Sequence, residues 1–374
     1  MVPAGDRMSS IPLTKPVLGT DEIDRVAHVL RSGSLVQSTR VAAFESGVAQ
    51  LLGGERHTIA VSSGTDAIQI AMMASDISVG DEVIVPDFCF PSVASAVIRT
   101  GAVPVLCDVV PSTFNMDSAS VERAMSPKTK AILAVHQFGI PCNVPAIQDL
   151  FSGLVIEDAA CALGARDEGG LCGTQSLLGC FSFHPRKIIT TGEGGMITTS
   201  SAELAERSRW LRAHGMQRTS NGVEFSEVGL SSRMTDIHAA VGLAQLDRFE
   251  DIVAGRARAA QVYREALQGV AGVVESPQIW SDNRVYQGLV LLLDPSVDRD
   301  RTVRHLRENK IESTIGTYAI HRQLPIARHC RVASGGLAGS LSAFRSSITL
   351  PLWPDMPSAA IDRVVETLKQ VLVS

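Results

Sequence analysis

The chain has 374 residues, of which 45% are hydrophobic and 5% aromatic, and a formal charge of -5. That length suits one large and one small domain, and the charge excludes the broad basic surface that nucleic-acid binding needs. No segment holds about 18 uninterrupted apolar residues, which excludes a membrane-spanning helix. The N-terminal MVPAGDRMSSIPLTKP has no apolar run suited to an export signal. The cysteine count is 7, odd and without a CxxC pair; several, such as Cys107 and Cys180, sit within apolar runs. They read as small core residues of a reduced, cytoplasmic protein.

In chain order, Ile23, Val26, Ala27 and Leu30 recur at helical spacing and predict a helix over 20–33, ended by Gly33. In HTIAVSSGTDAIQIAMMA, Ile59 to Val61 predict a short strand, Ser62 to Gly64 a turn, and Asp66 onward a helix. Further strands are predicted at 82–86, 103–109, 131–136 and 154–158, with helices between them near 91–100, 118–125 and 144–151. Short apolar runs separated by helices imply an α/β fold, a mainly parallel sheet sandwiched by helices. Ligands of such sheets bind beyond the carboxyl ends of the strands, where the SSGT turn and the IEDAA segment both lie. Residues 234–249 predict a helix capped by Thr235 or Asp236, and a longer helix running to about 268 leads into a second domain. The last helix, 358–373, carries an apolar stripe of Ile361, Val364, Val365, Leu368 and Leu372, with Ser358 as its cap. The division is placed at 250, giving a large domain over 1–250 and a smaller C-terminal α+β domain over 251–374.

Two stretches carry chemistry. FSFHPRKIITTGEGGMITT, 181–199, sets Lys187 between strand-like runs, followed at once by a glycine hinge. A lysine amine on the floor of a pocket attacks an aldehyde. LVIEDAACALGA, 154–165, ends an apolar strand on two carboxylates, and alternation lets only one of Glu157 and Asp158 enter a site. A lysine for an aldehyde and a carboxylate for a ring nitrogen point to pyridoxal phosphate (PLP). The amides of the Ser62 to Ala67 turn, with Gly64 and the Thr65 hydroxyl, suit a phosphate at a helix start; an ordinary capped helix start is the competing reading. Phe90 reads equally as a ring-stacking or a core phenylalanine, Ser182 as a phosphate donor or a strand serine, and Lys187 by itself as a surface lysine. His136 and His184 have no partner at metal-ligand spacing, so no metal is expected.

AVSSGTDAI, GDEVIVPDFCF, GAVPVLCDV, TKAILAVHQFG, VIEDAACALGA, CFSFHPRKIITTGEGGMITT and GLSSRMTDIHAAVGLAQL stand in the chain in that order. In them, and over nearly the whole length, the chain resembles the DegT/DnrJ/StrS family of PLP-dependent sugar aminotransferases, which have the aspartate aminotransferase fold (fold type I). The resemblance implies that Lys187 joins the cofactor aldehyde and shuttles the proton, and that Asp158 partners the ring nitrogen. It implies phosphate contacts from Gly64, Thr65, Asp66 and Ser182, and stacking by Phe90. It also implies a homodimer with shared active sites, the GLSSRM segment reaching the neighbour's phosphate site. Two positions depart from the family pattern: Ser231 stands where an asparagine is usual, and Cys161 where glutamine or histidine faces the cofactor's phenolic oxygen. The implied reaction moves an amino group from an amino acid, by family habit glutamate, to a nucleotide-linked keto-sugar, or to a keto-cyclitol in antibiotic pathways. Tyr318, His321 and Arg322 in TIGTYAIHRQLP are candidates for touching the acceptor; an interdomain loop would read the same way. A sugar dehydratase on this scaffold carries histidine in place of the lysine, so Lys187 counts against it. A non-catalytic PLP-binding regulator would leave Lys187 and Asp158 idle.

Overall fold

The computed structural model describes residues 10–220 and 222–372. Residues 1–9, part of the stretch in which no export signal was read, and residue 373, at the end of the predicted last helix, lie outside the described residues. No described helix is long and apolar enough to cross a membrane.

The first part of the chain contains α1 (Thr20–Ser32), α2 (Thr39–Leu51), β1 (His57–Val61), α3 (Gly64–Ala74), β2 (Glu82–Pro86), α4 (Ser92–Arg99), β3 (Val103–Cys107) and α5 (Ser118–Ala124). Then follow β4 (Thr129–Val135), α6 (Val144–Leu150), β5 (Leu154–Asp158), β6 (Leu178–Ser182), β7 (Gly195–Thr199), α7 (Ala202–Leu211) and α8 (Asp236–Leu246). The remainder holds α9 (Phe249–Leu267), β8 (Val273–Val274), β9 (Leu289–Leu293), α10 (Arg299–Glu308), β10 (Thr314–Ile315), β11 (Arg331–Val332), α11 (Ala338–Ser346), β12 (Ser347–Leu350) and α12 (Ser358–Leu372).

An 8-stranded sheet runs in the order β1-β7-β6-β5-β4-β2-β3-β11. Its pairs from β6 through β5, β4, β2 and β3 to β11 are parallel, and β7 is antiparallel to both its neighbours. Its strands are buried along nearly their whole length because helices cover both faces. One cluster, including Ile59, Val83, Val85, Leu133 and Ile156, packs with α3 and α4; Ile84, Val105, Ile132 and Val155 pack on the opposite side with α5 and α6. A second, antiparallel sheet of 4 strands, β8-β9-β12-β10, is packed by α9, α10 and α12. The division drawn at 250 falls in the first turn of α9.

Two predicted helices differ in detail. In α1 the buried residues are Glu22 and Val29, while Ile23 and Leu30 of the expected stripe are 67% and 57% exposed. The reason is polar. Glu22 accepts hydrogen bonds from the Gly19 N–H, from Gln245 and from Arg248, and these turn that edge of α1 onto α8. The helix predicted over 234–249 stops at Leu246, and α9 starts afresh at Phe249. Between them Arg248 leaves helical geometry and reaches back to Val17 and Glu22.

Candidate active site

The site lies at the carboxyl edge of the large sheet. Asp158 is the last residue of β5, with β4 and β6 paired beside it. Side chains alternate along a strand, and here Asp158 turns to the site while Glu157 turns away. Glu157 accepts from His136 Nε2 at 3.0 Å, from the Gly173 N–H at 2.6 Å and from the Ser176 N–H at 2.7 Å. His136 Nδ1 accepts the Cys142 N–H, so its Nε2 carries the hydrogen. Burial pushes the Glu157 carboxyl up, but His136 and the two backbone donors outweigh it and hold the group below its ordinary range.

Asp158 is in a different state. It is 6% exposed, and one oxygen accepts the Ala160 N–H at 2.9 Å. Among the described residues no ion pair holds it. Burial pushes its pKa up, with Ala160 and the charges of Lys187 and His136 working only partly against that. It is a buried carboxylate without a contacting cation, the setting that a pyridinium nitrogen would complete.

Lys187 stands on the loop between β6 and β7. The loop is tightly closed: the Thr191 N–H and the Thr190 hydroxyl both donate to the Phe183 carbonyl, and the Lys187 N–H donates to His184 O. Lys187 is half-buried, and its Nζ lies 3.2 Å from Cys161 Sγ. The following glycines have a direct use. A Cβ on Gly195 would sit 2.2 Å from Ser63 O and 2.8 Å from Gly64 N, so only glycine lets β7 pass the turn that opens α3.

That turn gathers the expected phosphate ligands. Ser63 caps α3, its hydroxyl accepting the Asp66 N–H at 3.1 Å. The amides of Gly64 and Thr65, in the first turn, have no partner within the helix. Ser182, at the end of β6, is so near that its Cβ would lie 2.7 Å from a Cβ on residue 64. Asp66 is differently engaged: its carboxylate receives the Ser62 hydroxyl and its N–H is taken by the cap. Ser231 is exposed and bridges to Ala213, while its neighbour Ser232 accepts the Ser62 N–H.

Phe90, just beyond β2, is 61% exposed, an unusual setting for a phenylalanine at a strand end, and Tyr318 meets it edge-on at 6.1 Å. His321 is strapped down by a residue the sequence reading missed. Asp87, fully buried, accepts the His321 N–H at 2.8 Å and Nδ1 at 2.7 Å. Asp87 follows the apolar β2 directly, the same strand-end signal that marked Asp158. Arg322 points elsewhere: its guanidinium lies 5.2 Å from the Phe344 ring, facing an open cleft lined also by Arg299 and Arg345. The structure thus groups Gly64, Thr65 and Ser182 at one point, Lys187 and Cys161 at another, and Tyr318 with Phe90, and it sets Arg322 apart.

These residues fit PLP on three counts: a helix start opened by Gly64 for a phosphate, a buried uncompensated carboxylate for a ring nitrogen, and an exposed aromatic face for a ring.

The model of the DegT/DnrJ/EryC1/StrS aminotransferase family matches residues 16–369. The GDP-perosamine synthase of Caulobacter vibrioides is 37% identical over 376 residues, covering 98% of this chain and 100% of its own. The spore coat polysaccharide biosynthesis protein SpsC of Bacillus subtilis is 32% identical, covering 97% of each chain. The crystal structure of the aminotransferase TlmJ from Streptoalloteichus hindustanus superimposes with a TM-score of 0.91 at 31% identity, over 98% of this chain and 99% of that one. Fold and site define a PLP-dependent aminotransferase. The chain belongs to the DegT/DnrJ/EryC1/StrS aminotransferase family.

Proposed function

We propose that the protein transfers the amino group of glutamate to the ketone of a nucleotide-linked sugar, in two half-reactions at one site. The observation that carries this reading is the half-buried Lys187 amine, near enough for its charge to act on the buried Asp158 carboxylate, which has no contacting cation. The GDP-linked sugar in the name of the Caulobacter relative supports a nucleotide-linked acceptor.

When bound, PLP supplies an aldehyde and an electron-accepting ring. The residues of this chain do the rest. Lys187 Nζ would hold the aldehyde and would serve as the base that moves the proton at the substrate carbon. Asp158 keeps the ring nitrogen protonated. The Gly64 and Thr65 amides, the start of α3 as continued by Asp66, and the Ser182 hydroxyl hold the phosphate. Phe90 would cover one ring face, and Cys161 Sγ would stand by the phenolic oxygen. Tyr318 and the Asp87-anchored His321 border the acceptor's entry, whereas Arg322, turned onto Phe344, is left out of the acceptor's contacts.

The site is completed by a second copy of the chain. Leu18, Ile23, Leu30, Leu35 and Val36 are all exposed within one short stretch, an apolar group that a partner would cover. Ser231 is then free to reach the neighbouring phosphate site. All 7 cysteines are unpaired, which suits the cytoplasm.

The test is spectroscopic. Glutamate should remove the visible band of the PLP-loaded protein, and a nucleotide-linked keto-sugar should restore it. Borohydride treatment of the resting enzyme should leave a pyridoxyl group on Lys187, read by peptide mass. A band indifferent to every amino donor, or a pyridoxyl mass on another lysine, would overturn the proposal; recovery by keto-cyclitols alone would reassign the acceptor.

A further inference from the structure

We propose that Cys161 and Lys187 form a peroxide-responsive covalent cross-link, a sulfenamide, that withdraws the lysine from catalysis. The inference rests on the role given to Lys187 above and adds a modification site to it.

The geometry is that of a pair poised to react. Nζ lies 3.2 Å from Sγ, inside the separation of about 3–3.5 Å at which bound groups attack one another. Both backbones are held. Cys161 follows β5 in a turn closed by the Ala162 N–H on Ala159 O, and its carbonyl packs so closely on Gly139 that a Cβ there would come within 2.9 Å. Lys187 sits on the closed loop described above. A third group bears on the sulfur. Arg284 is 5% exposed, its Nε has no partner among the described residues, and Cys161 is among the groups near enough to act on its charge.

Cys161 also stands out among the cysteines. Cys89, Cys107, Cys142, Cys172 and Cys180 are buried, and of the two that are not, Cys330 has its thiol pushed up to about 11 by burial. Oxidation requires access to the sulfur, so Cys161, partly exposed and beside the Lys187 amine, is the expected point of attack.

The chemistry balances in two steps. Hydrogen peroxide converts the thiol to a sulfenic acid and releases water. The neutral Nζ amine then attacks sulfur, the S–O bond breaks, and the hydroxyl leaves with an amine proton as a second water. Sulfur and nitrogen each give up one hydrogen, and peroxide takes the two electrons. A thiol reductant reverses the link by attacking sulfur and expelling the amine. The amine must be free, so the resting enzyme, whose lysine is joined to PLP, is protected. The enzyme that has just accepted an amino group from glutamate is exposed.

The experiment compares PLP-loaded enzyme, the same enzyme after excess glutamate, and cofactor-stripped protein. Each is treated with hydrogen peroxide, alkylated, digested without reductant and analysed by mass spectrometry. The expected product is a peptide pair joining residues 161 and 187, lighter than its parts by two hydrogens. It should dominate the glutamate-treated and stripped samples, be absent from resting enzyme, and vanish with dithiothreitol. In Cys161→Ser the pair should not form. The proposal falls if Cys161 in stripped protein is recovered as free thiol or sulfinic acid with Lys187 unmodified, or if the pair survives in Cys161→Ser. Whether glutamate bleaches the visible band is read separately, so failure of the aminotransferase reading is distinguishable from failure of the cross-link.

Discussion

Replacing Gly64 with alanine isolates the contact between α3 and β6. The new Cβ would lie 2.7 Å from Ser182 Cβ and 3.3 Å from Ser182 Cα. Saturated carbons rest at about 3.5–4.0 Å, so the closest contact is short by about 1 Å, and no rotamer change relieves it. Alanine is the better helix former by up to about 1 kcal/mol, whereas overpacking costs about 1–3 kcal/mol. The net loss of stability is therefore at most about 3 kcal/mol, and the fold survives. The strain is relieved by moving the first turn of α3 away from β6, at the point where the Gly64 and Thr65 amides and the Ser182 hydroxyl converge. Losing one hydrogen bond to a charged group costs about 1.5–3 kcal/mol, or about 10- to 150-fold in affinity. The assay is PLP titration of stripped protein followed by visible absorbance, with a thermal melt of the same sample. A Gly64→Ala protein with a near-normal melt and an unchanged PLP dissociation constant would refute the phosphate site placed here.

Asp158→Asn should slow proton abstraction by orders of magnitude; near-normal half-reaction rates would mean that another group faces the ring. Because burial raises the folded-state pKa of Asp158, its contribution to stability is present below the unfolded value of about 4 and is lost as pH rises through the folded value. Stripped Asp158→Asn should therefore melt higher than stripped wild type at neutral pH and converge with it in acid, and a lower melt at neutral pH would contradict this. Glu157→Leu leaves the His136, Gly173 and Ser176 donors buried without their acceptor and should cost about 3–5 kcal/mol in denaturant unfolding; an unchanged midpoint would refute the role given to it. Ile23→Asp combined with Leu30→Asp should convert a dimer to a monomer in sedimentation, and an unaltered dimer would show that the face covered is another one.

Local signals were legible where chemistry and geometry are local. The strands over 82–86 and 154–158 have the bounds read from their apolar runs, because a five-residue strand buried on both faces leaves an unbroken apolar signature. Gly33 ends α1 with a φ of 72°, and Thr235 caps α8, as their residue types implied. The lysine, the strand-end carboxylates and the glycine-rich stretch could all be named in advance.

What lay beyond the sequence was every relation between distant segments. Alternation said that one of Glu157 and Asp158 would face the site and the family resemblance named Asp158, but what turns Glu157 away, its packing on His136 and the 173–176 turn, appears only in the fold. The apolar stripe of α1 suggested one buried edge, yet the Glu22 anchorage to α8 selected another. The strap from Asp87 to His321 spans 234 positions and the contact of Lys187 with Cys161 spans 26. Periodicity reports the backbone within a few residues; which buried polar groups satisfy one another is settled only when loops close and the desolvated donors and acceptors must find partners.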